Sequence, residues 1–253
     1  MSLSASTINH IAQLLLRART ANELIPFQTY TKPQLTQEDA YAIQALVASD
    51  VGPIGAWKTG RPDNLSVPVY APILAQTVRT SPASYSVQEL RCCGIELEIG
   101  FYIDRPLPPF GVGFASALRD CVRPVVTLEI VDSRVQNFLE LPSAAKLADN
   151  QVNGGLVIGL PVDNWSELNL TQAEVTLSIN GQVVVSGISD VPGGNAFDTL
   201  SVMAGLVGAH CGGLRQGQVI TTGTLSGIIF LEPGSAVEGH VAGLGTVHVA
   251  YDT

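Results

Sequence analysis

The chain has 253 residues, of which 46% are hydrophobic and only 14% charged, and its formal net charge is −9. That composition supports one large domain with a substantial core and excludes a disordered chain. It also argues against a nucleic-acid partner, because phosphate backbones need clustered Lys and Arg, and no such cluster occurs.

The first fifty residues read as helical. "INHIAQLLLRART" carries Ile8, Ile11, Leu14 and Leu15 at helical spacing. In "PQLTQEDAYAIQALVASD", Thr36 can cap a helix whose first turn holds Glu38 and Asp39, where the positive end of the helix dipole favours acids. Ala40, Ile43, Leu46 and Val47 form its expected apolar stripe, and Gly52–Pro53 ends it. From Ile54 onward the pattern turns mostly to strands. "GIELEIGFYI", "VRPVVTLEIV", "GGLVIGLP", "EVTLSINGQVVVSG", "QVITTGTLSGIIF" and "GTVHVAYD" are short, β-branched and bounded by turn residues. Asn180–Gly181 suits a tight hairpin turn. One further helix is expected within "AFDTLSVMAGLVGAHCGG", closed by Gly212–Gly213. The fold class is therefore α+β, with a helical part over 1–53 and a mixed-sheet body over 54–253 forming one structural unit.

No apolar run is long enough to span a membrane, and the opening stretch lacks a basic segment before its apolar residues. Cys92, Cys93, Cys121 and Cys211 show no metal spacing such as CxxC. They read as reduced thiols of a cytoplasmic protein.

The chemistry-bearing signal lies in "RCCGIELEIGFYIDRPLP". Residues i and i+2 of a strand share a face, so Glu96 and Glu98 project together, opposite Ile95, Leu97 and Ile99. Two like charges this close raise each other's pKa, and a divalent cation removes the conflict. "RPVVTLEIVDSR" adds Glu129 on a second apolar strand, followed by Asp132. Hard oxygen ligands of this kind favour Mg²⁺, Mn²⁺ or Ca²⁺ over zinc. On the pair alone a solvated edge strand is the preferred reading, and Glu129 on a second apolar strand shifts the balance toward an open metal site without deciding it.

Taken in order, "LTQEDAYAIQ", "GAWKTG", "ELEIGFYIDRPLP", "LEIVDSR", "KLADNQVNGGLVIG", "TTGTLSG" and "GHVAGLGTVHVAYD" resemble the 2-keto-4-pentenoate hydratase group, which also holds the 4-oxalocrotonate decarboxylases. That group belongs to the fumarylacetoacetate hydrolase superfamily. The resemblance implies a mixed β-sheet roll with a helical N-terminal part, and Mg²⁺ or Mn²⁺ held by Glu96, Glu98 and Glu129. It implies a small 2-oxoacid substrate and a homo-oligomer, while the short apolar runs already speak against a membrane partner. It further implies catalytic roles for Lys58, Lys146 and Asp149, and substrate contacts from Asn150, Thr222, Gly223 and Thr224. Lys146 falls where the hydrolase branch keeps a lysine and hydratases more often carry a hydroxyl residue.

One departure stands out. Many members of the group carry Pro-Asp-Tyr-Gly after the lysine motif, whereas the matching stretch here is Pro68-Val69-Tyr70-Ala71, without the acid. The Glu–His dyad of the C–C hydrolases has no counterpart, since none of His10, His210, His240 and His248 lies between Lys58 and Glu96. The resemblance thus implies a metal-dependent lyase on unsaturated 2-oxo or 2-hydroxydienoic acids, a hydratase first and a decarboxylase second. A catalytically silent relative acting as a binding or partner subunit is the reading that Val69 keeps open. A decarboxylase must recognise a second carboxylate, for which Arg61, Arg91 and Arg134 are the candidates.

Overall fold

A computed structural model describes residues 2–21 and 23–253. Three helices come first: α1 (Ala5–Ala21), α2 (Phe27–Thr31) and α3 (Gln37–Val51). Thr36 starts α3 through a reciprocal capping box: its hydroxyl accepts from Asp39 N at 3.2 Å and its own N–H donates to Asp39 Oδ2 at 3.0 Å. Leu46 of the expected stripe faces solvent, and Gln44 is buried instead, donating to the Leu147 carbonyl at 2.6 Å. A polar residue takes an inward position here because a backbone acceptor waits for it.

The larger sheet contains β1 (Ile54–Gly60), β2 (Val69–Leu74), β3 (Val78–Thr80), β5 (Gly94–Ile103), β6 (Val122–Val131), β7 (Asn153–Ile158), β10 (Val219–Thr224) and β11 (Ile229–Phe230). Its order is β2-β1-β10-β5-β6-β7-β3, with β11 on β5. The pairs β1–β10 and β3–β7 are parallel and the others antiparallel. The second sheet contains β4 (Ala83–Ser86), β8 (Gln172–Ile179), β9 (Gln182–Asp190), β12 (Ser235–Val241) and β13 (Gly245–Asp252). Its order is β4-β13-β12-β8-β9. Asn180 and Gly181 turn β8 into β9 with φ of 51° and 78°, as a primed hairpin turn requires.

Period-two alternation divides the large sheet into two faces. Leu97, Ile99, Phe101, Leu128 and Ile130 pack against Leu177, Val237, Val247 and Val249 of the second sheet to form the main core. The opposite face carries a smaller cluster of Ala56, Ile73, Val125, Leu156 and Val219. Ala56 and Lys58 share a face, as do Glu96 with Glu98 and Val125 with Glu129, so the acids lie on the side of the smaller cluster.

The remaining helices are α4 (Phe114–Arg119), α5 (Ser143–Ala148) and α6 (Ala196–Val207). The sixth ends earlier than the sequence suggests: Gly208, at φ 52°, stops it, and His210–Gly212 form a separate 3-10 turn. Neither α4 nor α5 was expected, because each has only six residues and too few to establish a period. A third cluster joins Ile11, Leu15, Tyr30, Ile43 and Val47 of the N-terminal helices to Val135, Leu141, Ala145 and Leu147. Among the described residues, no helix is long and apolar enough to cross a membrane.

Candidate metal centre

β5 and β6 pair antiparallel with Glu96 directly opposite Glu129 and Glu98 opposite Thr127. Because i and i+2 share a face, the three carboxylates converge, and one oxygen from each lies within 4.8 Å of the others. Glu98 and Glu129 are buried, while Glu96 keeps some exposure at the margin.

The neighbours compensate only part of this charge. Lys58 of β1 donates from Nζ to Glu129 Oε1 and to the Gln151 carbonyl at 3.1 Å. Asn153 Nδ2 donates to the same Glu129 Oε1 at 3.0 Å. Glu98 Oε2 accepts from the Thr221 hydroxyl and from Gly223 N–H at 2.7 Å. Gly223 sits at φ 113°, a conformation that side-chain-bearing residues rarely adopt, and that turn aims its N–H at Glu98. Burial first and Glu129 second push Glu96 up to about 7 and Glu98 up to about 8. Burial alone would lower the Lys58 ammonium, but Glu129, Glu96 and Glu98 outweigh it and raise its pKa.

This donor set fits a divalent cation. When all three carboxylates are ionised, one ammonium leaves two negative charges in a buried place. Glu129 Oε2 is buried with no hydrogen-bond partner among the described residues, an expensive state for a carboxylate oxygen. All the converging ligand atoms are hard oxygens suited to Mg²⁺ or Mn²⁺.

The other expected site residues are placed unevenly. Lys146, on α5, is half-buried and donates to the Leu139 carbonyl at 2.8 Å, so it is not brought into the cluster. Asp149 is fully buried and pairs with Arg134, whose Nε donates to Oδ1 at 2.5 Å. Asn150 is buried at φ 50°, with its Oδ1 unpartnered. Thr222 points to the opposite face from the acids and donates to the Ile99 carbonyl at 2.8 Å. Thr224 lies opposite Glu98 in the ladder, and its hydroxyl accepts from Ser226 N–H at 3.3 Å. Val69 starts β2, where its carbonyl accepts from the Thr59 hydroxyl at 2.8 Å.

Sequence reasoning did not find Thr221, Gln151 or Asn153. The alternation in "QVITTGT" could have separated Thr221 from Thr222, because neighbouring strand residues face opposite ways. Gln151 acts through its carbonyl, for which a side-chain motif carries no signal.

Among the described residues, no histidine hydrogen-bonds or ion-pairs with the triad. His210 sits among the rings of Tyr41, Trp57 and Tyr70, its Nε2 3.0 Å from Gln44 Oε1. The four cysteines are free, and burial pushes the Cys92, Cys93 and Cys211 thiols up, to about 11, about 12 and about 11.

The fumarylacetoacetate (FAA) hydrolase C-terminal family profile matches residues 63–250. The chain is 24% identical to the 2-keto-4-pentenoate hydratase of Paraburkholderia xenovorans (strain LB400), over 96% of this chain and 94% of the relative. It is 25% identical to the 4-oxalocrotonate decarboxylase of Pseudomonas sp. (strain CF600), over 90% of each. The structure of 4-oxalocrotonate decarboxylase from Pseudomonas putida G7, complexed with magnesium and adipate, matches with a TM-score of 0.82 and 21% identity, covering 99% of both chains.

Proposed function

Because the chain belongs to the fumarylacetoacetate hydrolase family, we propose that it is a divalent-metal-dependent lyase acting on unsaturated 2-oxo or 2-hydroxydienoic acids. Water addition of the 2-keto-4-pentenoate hydratase kind is the leading reaction. The observation that carries this reading is the converging Glu96, Glu98 and Glu129 set, two of its members buried, with the Lys58 ammonium beside it.

These three carboxylates would hold Mg²⁺ or Mn²⁺. Such an ion, when bound, supplies a Lewis acid that favours the anionic form of a 2-oxoacid. Lys58 is held as an ammonium by the surrounding acids, so its part is to attract the substrate carboxylate or to give up a proton near Glu129. Thr221 and Gly223 N–H fix Glu98, and Thr224, at the end of the same strand, supports Glu96 through its side chain and would meet the substrate beside it. Asn150, with a free buried oxygen, would take a hydroxyl or protonated group of the substrate. Lys146 and Asp149 are engaged elsewhere, so proton handling falls to Lys58. The helices over 1–53 are read as the family's N-terminal part. A cytoplasmic homo-oligomer remains our expectation, since the unpaired edge of β9 exposes Val183, Val184 and Ile188.

A second reading, decarboxylation of a dicarboxylic 2-oxoacid, is favoured by Arg61. It is buried, three residues beyond Lys58, and among the described residues no carboxylate lies within ion-pair distance of it. Arg134 and Arg91 are already paired with Asp149 and Asp132. Arg61 uses Nε on the Thr199 hydroxyl at 3.1 Å and Nη1 on the Asn64 carbonyl at 3.2 Å. Pro192 and Gly193 bridge it to the centre, because a Cβ on Gly193 would meet Arg61 Cγ at 2.7 Å and one on Gly223 would meet Pro192 at 3.1 Å.

The test is turnover of 2-hydroxypenta-2,4-dienoate and 2-oxo-3-hexenedioate with Mg²⁺, with Mn²⁺ and with EDTA, for wild type and Glu96→Ala. Metal-dependent loss of dienoate absorbance that the substitution abolishes is expected. Metal binding without turnover on either substrate would favour the catalytically silent relative.

A further inference from the structure

Asn150, Gln151 and Val152 adopt φ of 50°, 55° and 55°, three successive left-handed residues with no glycine among them. Such backbone is sparsely populated, and for β-branched Val152 it is a true outlier. It persists only where the surroundings over-determine it. Here Val152 N–H donates to the Asp149 carbonyl and Asp132 N–H to the Val152 carbonyl, both at 2.9 Å, and a single guanidinium spans the run. Arg134 is fully buried and holds both ends of the run: Nη2 donates to the Asp149 carbonyl at 2.8 Å and Nη1 to the Asn153 carbonyl at 2.7 Å. Its Nε is taken by Asp149 Oδ1, while Oδ2 accepts from the Ser133 hydroxyl and from Arg134 N–H, both at 3.0 Å. The guanidinium therefore has little freedom to swing.

What the run delivers lies on its other side. The Gln151 carbonyl meets Lys58 Nζ, and the Asn153 amide meets Glu129 Oε1. Asn153 Nδ2 is itself steadied by the Gly155 carbonyl at 3.1 Å. Glu129 Oε1 is thus occupied by two donors, and Oε2 is the atom left bare.

We propose that Arg134 and Asn153 are positioning residues for the metal centre: Arg134 clamps the left-handed run 150–152, and the run sets Lys58 and Asn153 on one oxygen of Glu129 so that the other is presented to the cation. Asp149 serves as the counter-charge that fixes Arg134. This inference rests on the metal-dependent reading above. Groups that orient a ligating carboxylate typically contribute 10- to 100-fold to metal affinity.

The experiment is calorimetric titration of the EDTA-stripped full chain with Mn²⁺ at one pH, together with its metal-free Tm. Asn153→Leu keeps the volume and removes the donor. Gln151→Gly keeps every side chain of the centre and the carbonyl but frees the backbone. Asn153→Leu is expected to weaken Mn²⁺ about 10- to 100-fold, and Gln151→Gly severalfold, in both cases with the metal-free Tm nearly unchanged. A merely structural role would lower Tm and leave the affinity of the folded fraction alone. Wild-type affinity in both variants overturns the inference while the metal reading stands. Should Asn153→Leu not fold, Gln151→Gly decides. Failure of the wild type to bind Mn²⁺ overturns the metal reading and this inference with it.

Discussion

Glu96 and Glu129 stand directly opposite each other across the β5–β6 ladder, on the face where Glu98 also projects. Like charges in opposed positions of a sheet oppose folding, and burial makes the conflict worse. The metal-free protein is therefore held below its attainable stability by the residues that equip it for chemistry. Replacing Glu98 with Gln should raise the metal-free Tm at alkaline pH and weaken Mn²⁺ binding strongly. A lowered metal-free Tm at that pH would contradict the account.

The pH dependence follows from the same groups. The folded protein binds protons at Glu96 up to about 7 and at Glu98 up to about 8, whereas an unfolded glutamate releases them near its ordinary value of 4.5. Between those limits these two groups hold more protons in the folded state, and above about pH 6.5, where buried His210 with its lowered pKa no longer opposes them, metal-free stability falls as pH rises. The raised Lys58 pKa acts only at more alkaline pH, outside this window. Metal competes with the same protons, so Mn²⁺ affinity should increase from about pH 6 to about pH 9. Melting in EDTA and titration with Mn²⁺ across that range check both slopes; a metal-free Tm that climbs with pH refutes the first.

Lys58→Met removes the ammonium that compensates the triad. Breaking a buried ion pair by deleting one partner costs about 3–5 kcal/mol. We expect a large drop in metal-free Tm, partial recovery with Mn²⁺, and a kcat lower by about 10²- to 10⁴-fold if Lys58 moves the proton. Recovery of Tm with full activity would remove Lys58 from the chemistry.

Arg61→Leu separates the two reactions. A decarboxylase that uses Arg61 for a distal carboxylate should show a raised KM for 2-oxo-3-hexenedioate, by about 10-fold or more, since a charge-assisted hydrogen bond contributes roughly 1.5–3 kcal/mol. Its KM for 2-hydroxypenta-2,4-dienoate should stay unchanged. Equal changes for both substrates would assign Arg61 to the packing of the 61–66 turn on α6.

The bounds of β5, β6 and β13 were legible because β-branched and apolar residues dominate each stretch between turn residues. Glu96 and Glu98 were legible because a period of two is visible in a chain with few charges. Leu46 was misread because neighbouring positions on a helix differ by 100° and a polar Gln44 found a backbone partner. Asp149 and Lys146 could be located in a motif, but whether a side chain meets the acids, Arg134 or a loop carbonyl depends on α5 and the turn after it. Neither the six-residue helix nor its left-handed exit has a periodic signature. Asn153 was silent for a related reason: its partner Glu129 lies 24 residues away, and only the β6–β7 pairing brings them together.

The third hydrophobic cluster bears on how the chain could be shortened. Gln44 of α3 holds the Leu147 carbonyl, Tyr30 of α2 holds the Ala145 carbonyl at 3.1 Å, and Arg19 of α1 lies 3.8 Å from Asp149. Helices α2 and α3 thus brace α5, and α1 reaches Asp149 just beyond it, where the backbone enters the strained turn. A chain trimmed to its two sheets would keep all three acids, yet the segment that aims Glu129 would have lost its abutment.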